Sequence, residues 1–228
     1  LSLAHELRLN NRTSKIVIVG RKNPQDNGSK LDFIARDLSV SCSNWNFCAG
    51  SDLIIYAAGM GRLTRFDNIS QIEIEKTICL NATNVLNIIA EKKNKLLTDS
   101  NFTLAVVTSI AARLPSPMFA LYSASKALVH NYIVSVNIEL SKNGSKNKIL
   151  EIAPGFLQGT SFYGKPTDLA KLKDVSQTIL KKIYLQEEYI VPENKVLYER
   201  VINRSKLDPK KFGLESYDHK ISSGRVDT

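Results

Sequence analysis

Absences bound this sequence before any motif does. No run of eighteen or more apolar residues occurs, so nothing reads as a membrane-spanning helix, and the start LSLAHELRLNNR lacks the layout of a secretory signal. The three cysteines, Cys42, Cys48 and Cys79, form no CxxC and no cluster with histidine. An odd count argues against a disulfide framework, and the pattern offers no metal site. They read as buried thiols of a cytoplasmic protein. Internal repeats and low-complexity tracts are missing as well, which excludes solenoids and arrays.

What is present is one sizeable core. With 228 residues, 43% of them hydrophobic, the length suits a single domain. The formal charge is +9, but its basic residues are scattered, with short runs only at Lys92-Lys93, Lys181-Lys182 and Lys210-Lys211. That distribution predicts a solvated surface and no nucleic-acid partner, while still favouring an anionic ligand.

Apolar spacing over Leu1, Leu3, Ala4, Leu7 and Leu9 predicts that the chain opens in a helix. KIVIVG, Lys15 to Gly20, then reads as a buried parallel strand, and KLDFIARDL as another ending near Asp37. SDLIIYAAGMG is a strand running into a glycine-containing loop. Between these, SVSCSNWNFCAG has room for at most a short helix, with Trp45 and Phe47 packing locally. Helical periodicity runs from Ile69 to about Leu97 with Asn81 in its interior, then a strand at Phe102 to Thr108, a helix from Met118 to about Leu140, and a strand from Lys148 to Ile152. Leu169 to Ile183 has helical spacing, EEYIVP reads as an edge strand, and Lys195 to Arg204 as a helix followed by a polar, irregular tail. Alternation of strand and helix predicts a parallel α/β sheet.

The stretch YSASKALVHNY, Tyr122 to Tyr132, carries the chemistry. Tyr122 and Lys126 lie one helical turn apart and so share a face. A phenol with a pKa near ~10 is a poor acid at neutral pH, but a neighbouring ammonium stabilises the phenolate and lowers that value. A tyrosine so placed can exchange a proton with a substrate oxygen. Many solvated helices carry such a pair by chance, so its context decides. Thirteen residues before Tyr122, the apolar run TLAVVTSIAA passes through Ser109, and downstream KILEIAPGF places Pro154 and Gly155 after a short strand.

In this order and spacing the three elements resemble the short-chain dehydrogenase/reductase family of the classical type. The resemblance covers Leu1 to about Ile183 and implies a single doubly wound Rossmann-type domain, with helices on both faces of a parallel sheet. Its boundaries are 1–190, with 191–228 as a partly irregular extension of the same domain.

It also implies roles. Tyr122 is the acid/base, Lys126 lowers its pKa and contacts the nicotinamide ribose, and Ser109 hydrogen-bonds the substrate oxygen. Asn81 corresponds to a buried helix asparagine that holds a water in a relay to the lysine; taken alone it would be a polar residue on an exposed face. For the cofactor the resemblance assigns Asp37 and Leu38 to the adenine, Ala57, Ala58 and Gly59 to a turn along the dinucleotide, and Pro154 and Gly155 to a turn beside the nicotinamide. Gly20, Arg21 and Lys22 stand where an acidic residue would bind a ribose diol. A cation pair there suits a 2′-phosphate, so NADP(H) is expected over NAD(H).

Departures from the family pattern are specific. Ala57 replaces the asparagine of an Asn-Ala-Gly turn. The position five after Pro154 is Gly159 where a threonine is usual, with Thr160 next. No T-G-x-x-x-G-x-G turn occurs in the sequence, although its amides would hold the pyrophosphate. Either the biological N-terminus lies upstream of Leu1, which is the expectation, or the protein is a degenerate relative that cannot hold a dinucleotide normally.

The resulting expectation is an NADP(H)-dependent oxidoreductase that interconverts a small-molecule carbonyl and a secondary alcohol, working as a homodimer or homotetramer. The alternative is a non-catalytic dinucleotide-binding or sensing protein of the same fold. Arg62, Arg65, Arg113 and Lys165, in loops expected to line the site, would permit an acidic or sugar-linked substrate.

Overall fold

The computed structural model describes residues 1–9, 15–23, 31–42, 44–98, 101–160 and 167–223. Helix α1 (Ser2–Leu9) is followed by strands β1 (Val17–Gly20), β2 (Asp32–Ala35) and β3 (Leu53–Tyr56). Helices α2 (Gln71–Ile78) and α3 (Asn84–Glu91) are joined by a π-helical turn, Cys79–Thr83, and α4 (Lys93–Thr98) leads to β4 (Thr103–Val107). Next come α5 (Ala120–Lys142), β5 (Ile149–Ile152), α6 (Leu169–Tyr184), β6 (Tyr189–Ile190), α7 (Lys195–Leu207) and α8 (Pro209–Ser222).

All strand pairs are parallel, in the order β3-β4-β5-β6 in one sheet and β1-β2 in another. Parallel strands are buried on both faces, and β5 shows it: all four residues of ILEI are buried. One face packs Val85, Ile88, Leu104, Val106, Val129, Ile133 and Ile149 beneath α3 and α5. On the opposite face Ala105, Leu150 and Ile152 meet Leu7 of α1 and Ile179, Leu180 and Ile183 of α6. Helices therefore cover both faces, as the doubly wound reading requires. Ser176 of α6 donates to the Ser2 hydroxyl at 2.8 Å, and Gln177 to Glu6 at 2.8 Å, which ties the first helix to the last sheet-covering one.

Two expectations are corrected. The periodicity from Ile69 to Leu97 is three helices rather than one, because the π turn inserts a residue at Cys79–Thr83 and Lys92 leaves helical geometry at the end of α3. The polar tail is helical through Ser222. Asp208 caps α8 by accepting from Lys211 N at 2.9 Å, and Pro209 sits at its first turn, where a missing N–H costs nothing. Among the described residues no helix is long and apolar enough to cross a membrane.

Trp45 and Phe47 pack locally as expected, with ring centroids 5.4 Å apart beside a single 3₁₀ turn.

Candidate active site

Parallel strands present their carboxyl ends on one edge of the sheet, and the residues following β3, β4 and β5 meet there. Helix α5 covers one face of the sheet and brings its first turns to these ends, with Lys126 bonded to Val107 at the end of β4 and Asn137 to Ile149 at the start of β5. Its 122, 126 and 130 positions recur every four residues, so Tyr122, Lys126 and His130 share the sheet-facing side.

Tyr122 stacks on Phe119 with ring centroids 4.3 Å apart and planes at 24°. Lys126 Nζ lies 5.9 Å from the centroid of the Tyr122 ring and donates to the Val107 carbonyl at the end of β4, at 2.8 Å. The lysine is 3% exposed, and burial lowers its pKa to about 8. A Cβ at Gly59 would stand 3.3 Å from Lys126 Nζ and 3.4 Å from Asn81 Oδ1. Glycine at 59 thus leaves the room in which the β3 turn, the lysine and the asparagine converge.

Asn81 is fully buried, in keeping with the buried helix asparagine of the resemblance rather than the exposed polar residue it would be taken alone. The π turn aims it inward, where Oδ1 accepts from Met60 N at 2.8 Å and Nδ2 donates to Met60 O at 2.8 Å and Ser125 Oγ at 2.9 Å. Both main-chain groups of Met60 are thereby satisfied. This explains how the turn tolerates Ala57: its backbone is held from α3's side by Asn81, and Ala57 itself is exposed while Ala58 packs on the core.

Ser109 is 7% exposed and begins a 3₁₀ turn, Ile110–Arg113, by accepting from Ala111 N at 3.1 Å. Its hydroxyl also lies 3.4 Å from the Pro154 carbonyl, which accepts from Ile110 N at 3.1 Å. Ser109 and the Pro154-Gly155 turn are therefore adjacent. Gly155 N donates to Glu193 Oε1 at 3.0 Å, and Tyr198 of α7 fills the place that a Gly155 side chain would occupy. The Phe156 N–H is directed at the Tyr198 oxygen. Glu193 and Tyr198 were not singled out in the sequence, because the extension beyond β6 carries no motif.

Other predicted residues sit apart from this group. Gly20 ends β1 paired with Ala35, and Arg21 and Lys22 are exposed beyond it, with open space where a Gly20 side chain would be. Asp37 is exposed and its pKa is lowered, chiefly by the Ser39 N–H and also by Arg21 and Lys76; Leu38 is buried, its carbonyl accepting from Asn84. Arg21 and Asp37 thus share one neighbourhood at the ends of β1 and β2. Thr160 donates to Leu157 O at 3.1 Å within its own loop, and no bond links it to the Tyr122 group among the described residues. Gly159 has φ +89°, and a Cβ there would lie 2.7 Å from the Asp168 carbonyl, so a threonine cannot take that position.

Arg62 pairs with Glu73 at 2.7 Å and Arg65 with Asp67 at 2.9 Å, while the Arg113 guanidinium stacks 4.1 Å from the Tyr189 ring centroid. Two of the expected anion-binding cations are already neutralised. Lys165 lies outside the described residues.

A profile of the short chain dehydrogenase family matches residues 46–168, more than half of the chain, including the whole of the β3 turn, Asn81, Ser109, Tyr122, Lys126 and Pro154-Gly155. The chain belongs to this family. Among relatives, it is 27% identical over 104 residues to 2,3-dihydro-2,3-dihydroxybenzoate dehydrogenase of Escherichia coli, covering 46% of this chain and 41% of that protein. The chain therefore spans less than half the length of this curated relative. The fold is similar to a short chain dehydrogenase from Burkholderia cenocepacia in complex with NADP, with TM-score 0.72, 18% identity and coverage of 94% and 91% of the two chains. It is also similar to a short chain dehydrogenase/reductase from Burkholderia phymatum in complex with NAD, with TM-score 0.67, 16% identity and coverage of 80% and 79%.

Proposed function

We propose that the protein is an oxidoreductase that interconverts a carbonyl and a secondary alcohol, with Tyr122 as the acid/base and NADP(H) as the preferred dinucleotide. The observation that carries this reading is the buried Lys126 ammonium beside the Tyr122 ring, in a site where burial magnifies its field. A bound nicotinamide dinucleotide supplies the hydride in reduction and accepts it in oxidation.

As a carbonyl carbon gains hydride, its oxygen develops alkoxide charge. Tyr122 O–H passes its proton to that oxygen, and the resulting phenolate is stabilised by Lys126. Ser109 O–H donates a second hydrogen bond to the same oxygen. In oxidation the steps reverse, with the phenolate taking the alcohol proton. Asn81 holds the Met60 turn and Gly59 against Lys126, which keeps the ammonium aimed at the ring.

For the dinucleotide, the residues present fit at the adenosine end, while Glu193 and Tyr198 already contact the Gly155 turn expected beside the nicotinamide. Arg21 and Lys22 are exposed past β1, suited to a 2′-phosphate, and Pro154-Gly155 adjoins Ser109. Similar folds are known with NADP and with NAD, so the cation pair is the support for the phosphorylated form. Exposed Ile72 and Ile74 on α2 and Leu128, Val134 and Ile138 on α5 support association into a homodimer or homotetramer, and three free cysteines fit a cytoplasmic setting.

One observation favours a second reading, a dinucleotide-binding sensor with little turnover. Glu193 and Tyr198 occupy the Gly155 turn. Full-length protein incubated with NADPH and a panel of small ketones and aldehydes, followed by the absorbance of reduced nicotinamide, separates the two. Turnover is expected; binding without turnover across the panel would favour the sensor.

A further inference from the structure

Strand β5 contains a carboxylate that its packing does not call for. Glu151 is the third residue of ILEI, 3% exposed, paired in register with Val106 on one side and Tyr189 on the other. Burying a carboxylate costs several kcal/mol, and apolar side chains of similar volume at such positions are commonly as stable or more so. Stability alone gives no reason for glutamate here.

The two oxygens of that carboxylate reach two different elements. Oε1 accepts from Thr108 Oγ1 at 2.6 Å, and Oε2 lies 2.8 Å from His130 Nδ1, in place to accept its proton. Thr108 immediately precedes Ser109, and its N–H also donates to Ile152 O at 2.7 Å. His130 follows Lys126 by one turn of α5 and Tyr122 by two. Glu151 itself precedes Pro154-Gly155 by three residues. On the sheet-edge side Glu151 pairs in register with Tyr189, whose ring carries the Arg113 guanidinium.

We infer that Glu151 is a positioning residue: by holding Thr108 and His130 at once, its carboxylate fixes the ends of β4 and β5 against α5. It thereby sets the spacing of Ser109, the Pro154-Gly155 turn and the Tyr122-Lys126 pair. This role rests on the oxidoreductase reading above. Hydrogen bonds of 2.6 and 2.8 Å constrain direction as well as distance, which apolar contact does not. Misplacement of reacting groups by about 1 Å can cost on the order of 100-fold in rate. An apolar residue at 151 would keep the layer packed and release the aim.

The test uses full-length protein and the carbonyl substrate turned over fastest in the panel, with kcat, KM, NADPH Kd and Tm measured for wild type, Glu151→Leu, Glu151→Gln and Thr108→Val. Glu151→Leu is expected to hold Tm at or above wild type and NADPH Kd within about twofold, while kcat falls roughly 10- to 100-fold. Glu151→Gln is expected to recover most of kcat, because its amide oxygen still accepts from Thr108 and its NH₂ can face a His130 nitrogen. Thr108→Val, which removes one arm, is expected to lower kcat in the same way and decides the matter if Glu151→Leu does not fold. Wild-type kcat in these variants, or a loss of kcat that tracks Tm or Kd, would overturn the positioning role alone. A wild type inactive on the whole panel would overturn the oxidoreductase reading and this role with it.

Discussion

Lys126 Nζ donates at 2.8 Å to the Val107 carbonyl while standing 5.9 Å from the Tyr122 ring centroid, so one buried ammonium links the end of β4 to the Tyr122-bearing face of α5. Among the described residues no carboxylate pairs with it. Its charge is therefore a cost to folding that the proposed chemistry uses.

That cost has a pH signature. The folded-state pKa of about 8 lies below the ordinary lysine value, so between the two the unfolded chain binds more protons. Stability should rise with pH across that window, by at most about 3 kcal/mol, and the penalty should be fully present below about pH 8. Lys126→Met is expected to remove this slope and to raise Tm at pH 7, while abolishing most turnover. Thermal unfolding from pH 7 to pH 10.5 on both proteins checks it; an unchanged slope in the variant would contradict the assignment.

Asn81 predicts a stability effect. Asn81→Leu would leave Met60 N–H and C=O without their side-chain partner in a partly buried turn, at a cost of about 1–2 kcal/mol. Urea unfolding should show a lower midpoint at an unchanged slope. An equal midpoint would mean that the turn finds other partners.

Gly59→Ala tests the convergence directly. Its new Cβ would press on Lys126 Nζ and Asn81 Oδ1 at 3.3 and 3.4 Å, and both must yield by a few tenths of an ångström. Turnover is expected to fall about tenfold with a stability loss of roughly 1 kcal/mol or less. Unchanged kcat would show that the lysine position is not critical.

The proposed preference for NADP(H) predicts a role for Arg21. Arg21→Glu is expected to weaken NADPH at least about tenfold and to leave NADH equal or tighter, since it replaces the proposed phosphate partner by a carboxylate. Fluorescence titration with both dinucleotides measures it. A wild type that binds NADH as tightly as NADPH would contradict the preference.

Much of this was legible in one dimension because the motifs are local. The Tyr122-Lys126 face, the apolar strands and the Pro154-Gly155 turn are each written in fewer than a dozen consecutive residues. Asn81 was visible as an interruption, but the π turn that buries it depends on tertiary contacts with Met60 and Ser125. The Glu151-His130-Thr108 network was not legible, since its members lie 21 and 43 positions apart and Glu151 reads as an anomaly in an apolar run. Helix α7 was expected over Lys195 to Arg204, but α8 was missed because it is polar. Caps at Asn194 and Asp208, the Arg204-Glu215 pair and the bond from Lys220 to the Pro117 carbonyl hold them instead of a strong apolar stripe.

The central claim is that Tyr122 moves the proton. The most direct measurement is single-turnover hydride transfer in wild type and Tyr122→Phe, with NADPH Kd determined on the same samples. Loss of a positioned acid/base predicts a rate lower by roughly 10²- to 10⁴-fold at an unchanged Kd. A Tyr122→Phe protein that transfers hydride at the wild-type rate would contradict the account.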